Sequence, residues 1–315
     1  MPLASFRPAA LALLSLLAAS PVMAAAMAAD IGYRLQCPTE KTGPLVCQVL
    51  GPDGGTVASV ENPFPTHYHP LQVVDGTLYW IRRPGSFEPG WADELVAQDL
   101  NAAQTTAPDA SPQDAGAAET RQPESKRHET APRVVARGQK LDFRITGDGS
   151  RAAVVAQDPG HRRADEGWGL DLVELRGSGH KRVFTGGVAL LGFSTDGRQL
   201  WFGRQEGGGP WTRLGLFQGG KVRWFEMGAD HGEIALEFDR GWVARSNAPL
   251  CGDAACIKGY QKKNEMNRLV VTDLFTGRRE VVAEGRGSIY RPAWQDGRLT
   301  FRKDGKRATV EPFHN

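Results

Sequence analysis

Only four of the 315 residues are cysteine, and 38 basic against 36 acidic side chains leave a net charge of +2. A balance this even offers no broad positive field to hold nucleic acid or an anionic membrane. Long apolar runs are scarce too: one, LALLSLLAA at 11–19, lies near the N-terminus. Sustained helical periodicity is missing, which argues against a helical bundle. So are the common catalytic signatures: there is no Gly-x-Ser-x-Gly elbow, Walker loop, dinucleotide glycine fingerprint or EF-hand run. Neither a CxxC pair nor a flanking His at zinc spacing accompanies the cysteines. No cofactor, no metal and no catalytic residue is therefore expected. His67 and His69 form the one close His pair, and alternation in an extended chain would point both imidazoles to one side. A third ligand would have to come from Asp75 or His161. Ordinary packing against Pro63, Pro65 and Pro70 is the simpler expectation.

The apolar run follows Arg7 and precedes small residues at Ala24, Ala28 and Ala29. That order is the pattern of a cleaved secretory signal peptide over residues 1–29, too short for a stable membrane anchor. Cys37 in YRLQCPT lacks the small residues of a lipid-attachment site, so a periplasmic location follows as the expectation. Export places the cysteines where disulfides persist. Four cysteines allow three connectivities, and the local pairs Cys37 with Cys47 and Cys251 with Cys256 are favoured because each closes a hairpin or a loop.

Glycine is plentiful: 38 residues, about 12 per cent against a usual ~7 per cent, beside eight Trp and thirteen Phe. Turn residues and large flat side chains in this proportion predict many short strands. Residues 101–132 contain no Val, Ile, Leu, Met, Phe, Tyr, Trp or Cys. Such a stretch buries too little apolar surface to offset chain entropy and is expected to be a disordered loop inserted in the fold.

The sequence around that insertion repeats. LDFRITGDGSRAAVVAQD (141–158), LLGFSTDGRQLWFGRQ (190–205), IALEFDRGWVARSN (234–247) and IYRPAWQDGRLTFRKDG (289–305) align, and HPLQVVDGTLYWIRR (69–83) is a looser copy. Each predicts a hairpin, because Asp-Gly favours the positive φ angles of a two-residue turn. RLVVTDLFTGRREVVAEG (268–285) supplies a third and fourth strand. The turn aspartates Asp75, Asp148, Asp196, Asp239 and Asp296 are separated by 73, 48, 43 and 57 residues. Removing an insertion of about 30 residues brings the first spacing to about 43, and four short strands per 40–50 residues is propeller arithmetic. The expected fold is all-β: a single β-propeller of about five or six four-stranded blades over residues 30–315, with ring closure through a terminal strand, and a monomer. Stacked sandwiches would give short strands without a repeated turn register.

The copies Arg291-Pro292-Ala293-Trp294-Gln295-Asp296-Gly297 and Gly192-Phe193-Ser194-Thr195-Asp196-Gly197 resemble the TolB-type periplasmic repeat related to WD-repeat propellers. The resemblance runs loosely over residues 69–305 and omits the amino-terminal domain of that family. It implies blade architecture and compartment, with adaptor roles as precedent; fold does not fix activity.

In a propeller, the second-to-third strand loops leave the face opposite the Asp-Gly turns. Here they are the enlarged ones: RPGSFEPGWADE (83–94), DPGHRRADEGW (158–168), EGGGPW (206–211) and PLCGDAACIKGYQKKNEMN (249–267). Long loops on one side of a rigid scaffold suggest a binding surface, and Trp, Tyr and Arg are enriched in interface hot spots. The partner-binding candidates are Phe87, Trp91, His161, Arg162, Arg163, Trp168, Trp211, Tyr260, Lys262 and Lys263. The plainer reading has these Trp residues filling gaps between blades and the basic groups solvated. The expected function is a non-catalytic binder of another envelope protein or of a secreted toxin, as scaffold, adaptor or inhibitor; an immunity protein is one version. The alternative is a carbohydrate-active or other hydrolytic propeller, for which Asp165, Glu166, Glu206 and Glu233 are available carboxylates.

Overall fold

A computed structural model describes residues 33–37, 45–61, 63, 71–83, 92–100, 131–158, 167–204, 212–227, 233–247 and 266–313. The described residues form strands and no helix. β1 (Arg34–Gln36), β2 (Val46–Leu50) and β3 (Thr56–Glu61) make a first antiparallel sheet. A seven-stranded sheet follows, containing β4 (Gln72–Val74), β5 (Thr77–Arg82), β6 (Asp93–Asp99), β7 (Arg133–Ile145), β8 (Arg151–Gln157), β9 (Trp168–Glu174) and β10 (His180–Thr185). Two four-stranded sheets come next: β11 (Val188–Phe193), β12 (Leu200–Arg204), β13 (Arg213–Gln218), β14 (Lys221–Glu226), then β15 (Ile234–Glu237), β16 (Trp242–Ser246), β17 (Asn267–Asp273), β18 (Arg279–Gly285). β19 (Ile289–Gln295), β20 (Arg298–Lys303) and β21 (Lys306–Val310) end the chain as a three-stranded sheet.

The seven-stranded sheet is two packets joined at a bend. Gly138 pairs with Asp93 at the start of β6, and Gln139 pairs with Gln157 at the end of β8. Arg133 pairs with Ala97 and Ile145 with Ala152, so both ends of β7 return to the same end of their ladders. The chain therefore reverses around Gly138–Lys140, where Lys140 takes φ 52° and the register shifts. Gly138 is required at that reversal, since a Cβ there would lie 2.4 Å from the Ala156 Cβ. Divided at the bend, the described strands form six antiparallel packets in sequence order.

Alternation along the middle strands assigns side chains to two cores at once. In β5, Leu78 and Trp80 pack toward the first sheet while Tyr79 and Ile81 pack toward the third packet. β8 divides Ala152, Val154 and Ala156 from Ala153 and Val155 in the same way, and β12 sends Leu200 and Phe202 to one side and Trp201 to the other. Strands buried on both faces lack polar alternation, which is why these segments read as continuous apolar runs. Each of the five buried clusters fills the seam between consecutive packets.

Two expectations need correcting. The repeated Asp-Gly pairs do end hairpins, but positive φ at both residues is found at Asp75–Gly76 (50° and 70°), Asp296–Gly297 (50° and 73°) and Asp304–Gly305 (52° and 79°), and not at Asp148–Gly149 or Asp196–Gly197. At Asp148 and Asp196 the loop is longer and the aspartate is a capping side chain instead. Asp148 accepts from the Thr146 hydroxyl at 2.6 Å and the Ser150 amide at 3.0 Å; Asp196 accepts from the Ser194 hydroxyl at 2.7 Å and the Arg198 amide at 2.9 Å. A hydroxyl two residues upstream captures the carboxylate and holds the Asx turn, leaving only the glycine left-handed.

Strand exchange between the chain ends is likewise not seen among the described residues: β1–β3 and β19–β21 are separate sheets, and no buried cluster joins them. Their outward faces are mostly polar. β1 and β2 expose Arg34, Gln36 and Gln48 beside Val46, while β20 and β21 expose Arg298, Arg302 and Arg307. Arg302 stands directly opposite Arg307, a like-charge pairing that disfavours burial.

Candidate functional site

The packets have two unlike ends. At one end lie the strand ends Arg82 and Asp93, Gln157 and Trp168, Arg204 and Arg213, and Ser246 and Asn267, each pair flanking a connection between the second and third strand of a four-stranded packet, most of whose residues are outside the described set. At the other lie the short turns at Asp75, Asp148, Asp196, Asp239 and Asp296.

Each long connection leaves from a clamped stem. Arg83 donates two hydrogen bonds to Asp93, at 2.8 and 3.1 Å, and the Asp93 side chain is 1% exposed. The planar guanidinium fork matches the carboxylate edge, so the pair fixes direction as well as distance. Beside it, Glu94 bridges Arg82 and Arg137. Burial raises its carboxyl pKa, but hydrogen bonds from the two guanidinium groups outweigh that and hold it below the ordinary value. The second stem closes through the Asp158 amide donating to Gly167 O at 2.8 Å, and the third through the Thr212 amide donating to Arg204 O at 3.3 Å. At the fourth, the Asn247 side chain accepts from the Arg268 amide at 2.6 Å and donates to Met266 O at 3.1 Å.

Trp168 is the one predicted partner-binding residue within the described set. It opens β9 half-buried, packs on the cluster around Val155 and Leu170, and has the Lys140 ammonium 5.8 Å from its ring centroid. Phe87, Trp91, His161, Arg162, Arg163, Trp211, Tyr260, Lys262 and Lys263 lie outside the described residues, as do His67, His69, residues 1–29 and 101–130, and the pair Cys251 and Cys256. Cys37 and Cys47 form the expected disulfide. Among the described residues no group of three His, Cys, Asp or Glu side chains could hold a metal ion. Asp75 is paired with Arg176 at 2.7 Å. Of the carboxylates considered for hydrolysis, Asp165, Glu166 and Glu206 are outside the described set, and Glu233 accepts the backbone N–H of Arg291.

The turn end is tied together from packet to packet. Arg176 spans to Asp75 and to Asp148 O; Arg151 donates to Gly197 O at 2.6 Å; the Thr195 amide and hydroxyl donate to the Asp239 carboxylate at 2.6 and 2.7 Å.

No protein-family model matches the chain, and no curated protein is similar to it in sequence. Solved structures are similar to it. TolB from Acinetobacter baumannii is 14% identical over 88% of this chain and 62% of its own, with a TM-score of 0.40. A prolyl endopeptidase is 10% identical over 90% of this chain and 42% of its own, with a TM-score of 0.51. The β-propeller domain of the Trilobed protease from Pyrococcus furiosus is 10% identical over 89% and 94%, with a TM-score of 0.34. The chain thus spans less than two thirds of the first two. At these identities the likeness is one of fold alone.

Sequence reasoning missed the inter-packet ties. Arg176 and Asp75 are 101 residues apart, and although Asp75 belongs to a repeated turn, Arg176 sits in no motif. What the sequence did carry was the hydroxyl before each capping aspartate, Thr146 and Ser194, which separates the Asx loops from the two-residue turns.

Proposed function

We propose that this protein is an exported, non-catalytic six-bladed propeller that binds another protein of the envelope, or a secreted protein, through the end carrying the long connections. The observation that supports it is the asymmetry between the ends: four long connections rise from individually clamped stems on one side, while the turns opposite are short and tied to one another. A rigid base with long loops on one side suits recognition, because the base limits the ordering cost and the loops supply the contact chemistry. Trp91, Tyr260, Arg162 and Arg163 are the side chains of those loops best suited to act as anchors. The disulfide Cys37–Cys47 suits an oxidising compartment. Scaffold, adaptor and stoichiometric inhibitor of a toxin all use such a surface.

The test is affinity capture from the native envelope with the intact protein and two sets of variants. Trp91→Ala with Tyr260→Ala is expected to abolish recovery of the partner, and Arg198→Gln at the turn end to leave it unchanged. Recovery of nothing, or of a partner indifferent to the loop variants, would overturn the assignment of the face.

A further inference from the structure

We propose that the turn end carries a binding site for a small oxyanion, a phosphate or carboxylate group, in the pocket between the second and third packets. The pocket has a volume of about 110 Å³ and is lined by Asp75, Thr77, Tyr79, Arg133, Gly149 and Arg176, with Val74 and Leu175 as its apolar wall. That is room for several waters or one small polyatomic anion.

Charge selects the ligand. Two guanidinium groups face the pocket against one lining carboxylate. Arg176 is neutralised by Asp75 at 2.7 Å and also donates to Asp148 O at 3.3 Å. Arg133 makes no ion pair among the described residues; one of its nitrogens donates to Leu175 O at 3.1 Å, which fixes the plane of the group. A guanidinium held by one edge presents the rest of its fork to a planar or tetrahedral oxyanion, the geometry in which arginine binds most strongly.

The pocket floor supplies one neutral donor. Tyr79 is 3% exposed, and burial raises its phenol pKa, outweighing the Thr77 hydroxyl and the charges of Arg133 and Arg176. The phenol therefore stays protonated at neutral pH and can donate. Gly149, at φ 63°, brings its turn against Val74 and Asp75; a Cβ there would sit 3.5 Å from Val74 Cγ1. The third packet's turn is thus held against the second's, with the two arginines on either side of the seam. Both come from segments separated in sequence, β7's first residue and the turn after β9, so the site exists only when the packets are stacked.

The test is a titration of the intact, folded protein with sodium phosphate and, separately, sodium acetate, against sodium chloride at matched ionic strength. Calorimetry and the amide resonances of Gly149 and Leu175 are the readouts. Saturable binding is expected, with shifts centred on those two amides. Arg133→Gln should weaken it about tenfold or more, as losing a charge-assisted hydrogen bond does. Arg133→Lys should recover part of the affinity, and Tyr79→Phe should lower it more modestly. If Arg133→Gln fails to fold, Arg133→Lys and Tyr79→Phe carry the comparison. Preference for phosphate or acetate identifies which oxyanion the site takes. Absence of saturable binding to either, shifts centred elsewhere, or affinity unchanged in the Arg133 variants would overturn the proposal.

Discussion

Removing Trp201 should separate the chain at one seam. Its side chain is fully buried between the fourth and fifth packets, its ring lies 5.8 Å from that of Phe225, and Nε1 donates to Phe238 O at 2.9 Å. Trp201→Ala removes the ring, at about 3–5 kcal/mol, and leaves the Phe238 carbonyl short of a donor, at about 1 kcal/mol more. The loss of about 4–6 kcal/mol is comparable with the whole stability of many domains. Because buried clusters join only consecutive packets, the loss should fall on what lies beyond the seam, as in stacked repeats. Amide hydrogen exchange in Trp201→Ala is expected to quicken about a thousandfold across β15–β21, while β5–β9 keep most of their protection. Trp294, 2% exposed with Nε1 bonded to Ala235 O at 3.1 Å, offers the matched comparison one seam later. Trp294→Ala should deprotect β19–β21 alone. Equal and uniform deprotection in both variants would refute the reasoning and show a ring that melts as one unit.

Other outcomes follow from the same contacts. Reducing Cys37–Cys47, which closes a loop of sequence separation 10, should remove a little under 3 kcal/mol on the loop-entropy account, and exchange should rise in β1–β3 only; collapse throughout the chain would contradict it. Deleting residues 102–131 should leave the thermal midpoint unchanged, because β6 and β7 already pair directly; a clear drop would show that the segment packs. The Thr146 hydroxyl and the Ser150 amide and hydroxyl hold the Asp148 carboxyl down at about 2, from 3.8. A depressed carboxyl adds stability that is fully present above 3.8 and is lost as pH falls toward 2. Urea unfolding should accordingly fall less steeply with pH across that window in Asp148→Asn than in the parent, and parallel curves would remove Asp148 from the acid response.

Strand positions and the repeat were legible because burial writes itself into side-chain order. Leu200-Trp201-Phe202 is apolar without interruption since its residues serve two seams in turn. Turn type was half legible: Asp-Gly marked the first turn of four packets, yet its geometry depends on whether a hydroxyl such as Thr146 stands two residues earlier. The candidate face was legible as loop length alone, and Trp168 shows the limit of that signal, since a residue at a loop's end is equally a residue at a strand's start. The oxyanion pocket left no trace in the sequence. Its arginines are ordinary until the bend at Gly138–Lys140 folds the second and third packets face to face and brings β7's first residue beside the turn after β9.

The exposed arginines of β20 and β21 and the glutamines of β1 and β2 bear on what the first and last described sheets can pack against. A seam forms wherever two apolar sheet faces meet, and nothing in the hairpin geometry itself says when to stop. The charged and polar side chains of these two faces, which surround the exposed Val46 of β2, disfavour the packing of a further sheet on them. Replacing Arg302 and Arg307 with Val would remove the like-charge pair from the last described sheet, and concentration-dependent association in sedimentation would show that this face had been kept free by its charge.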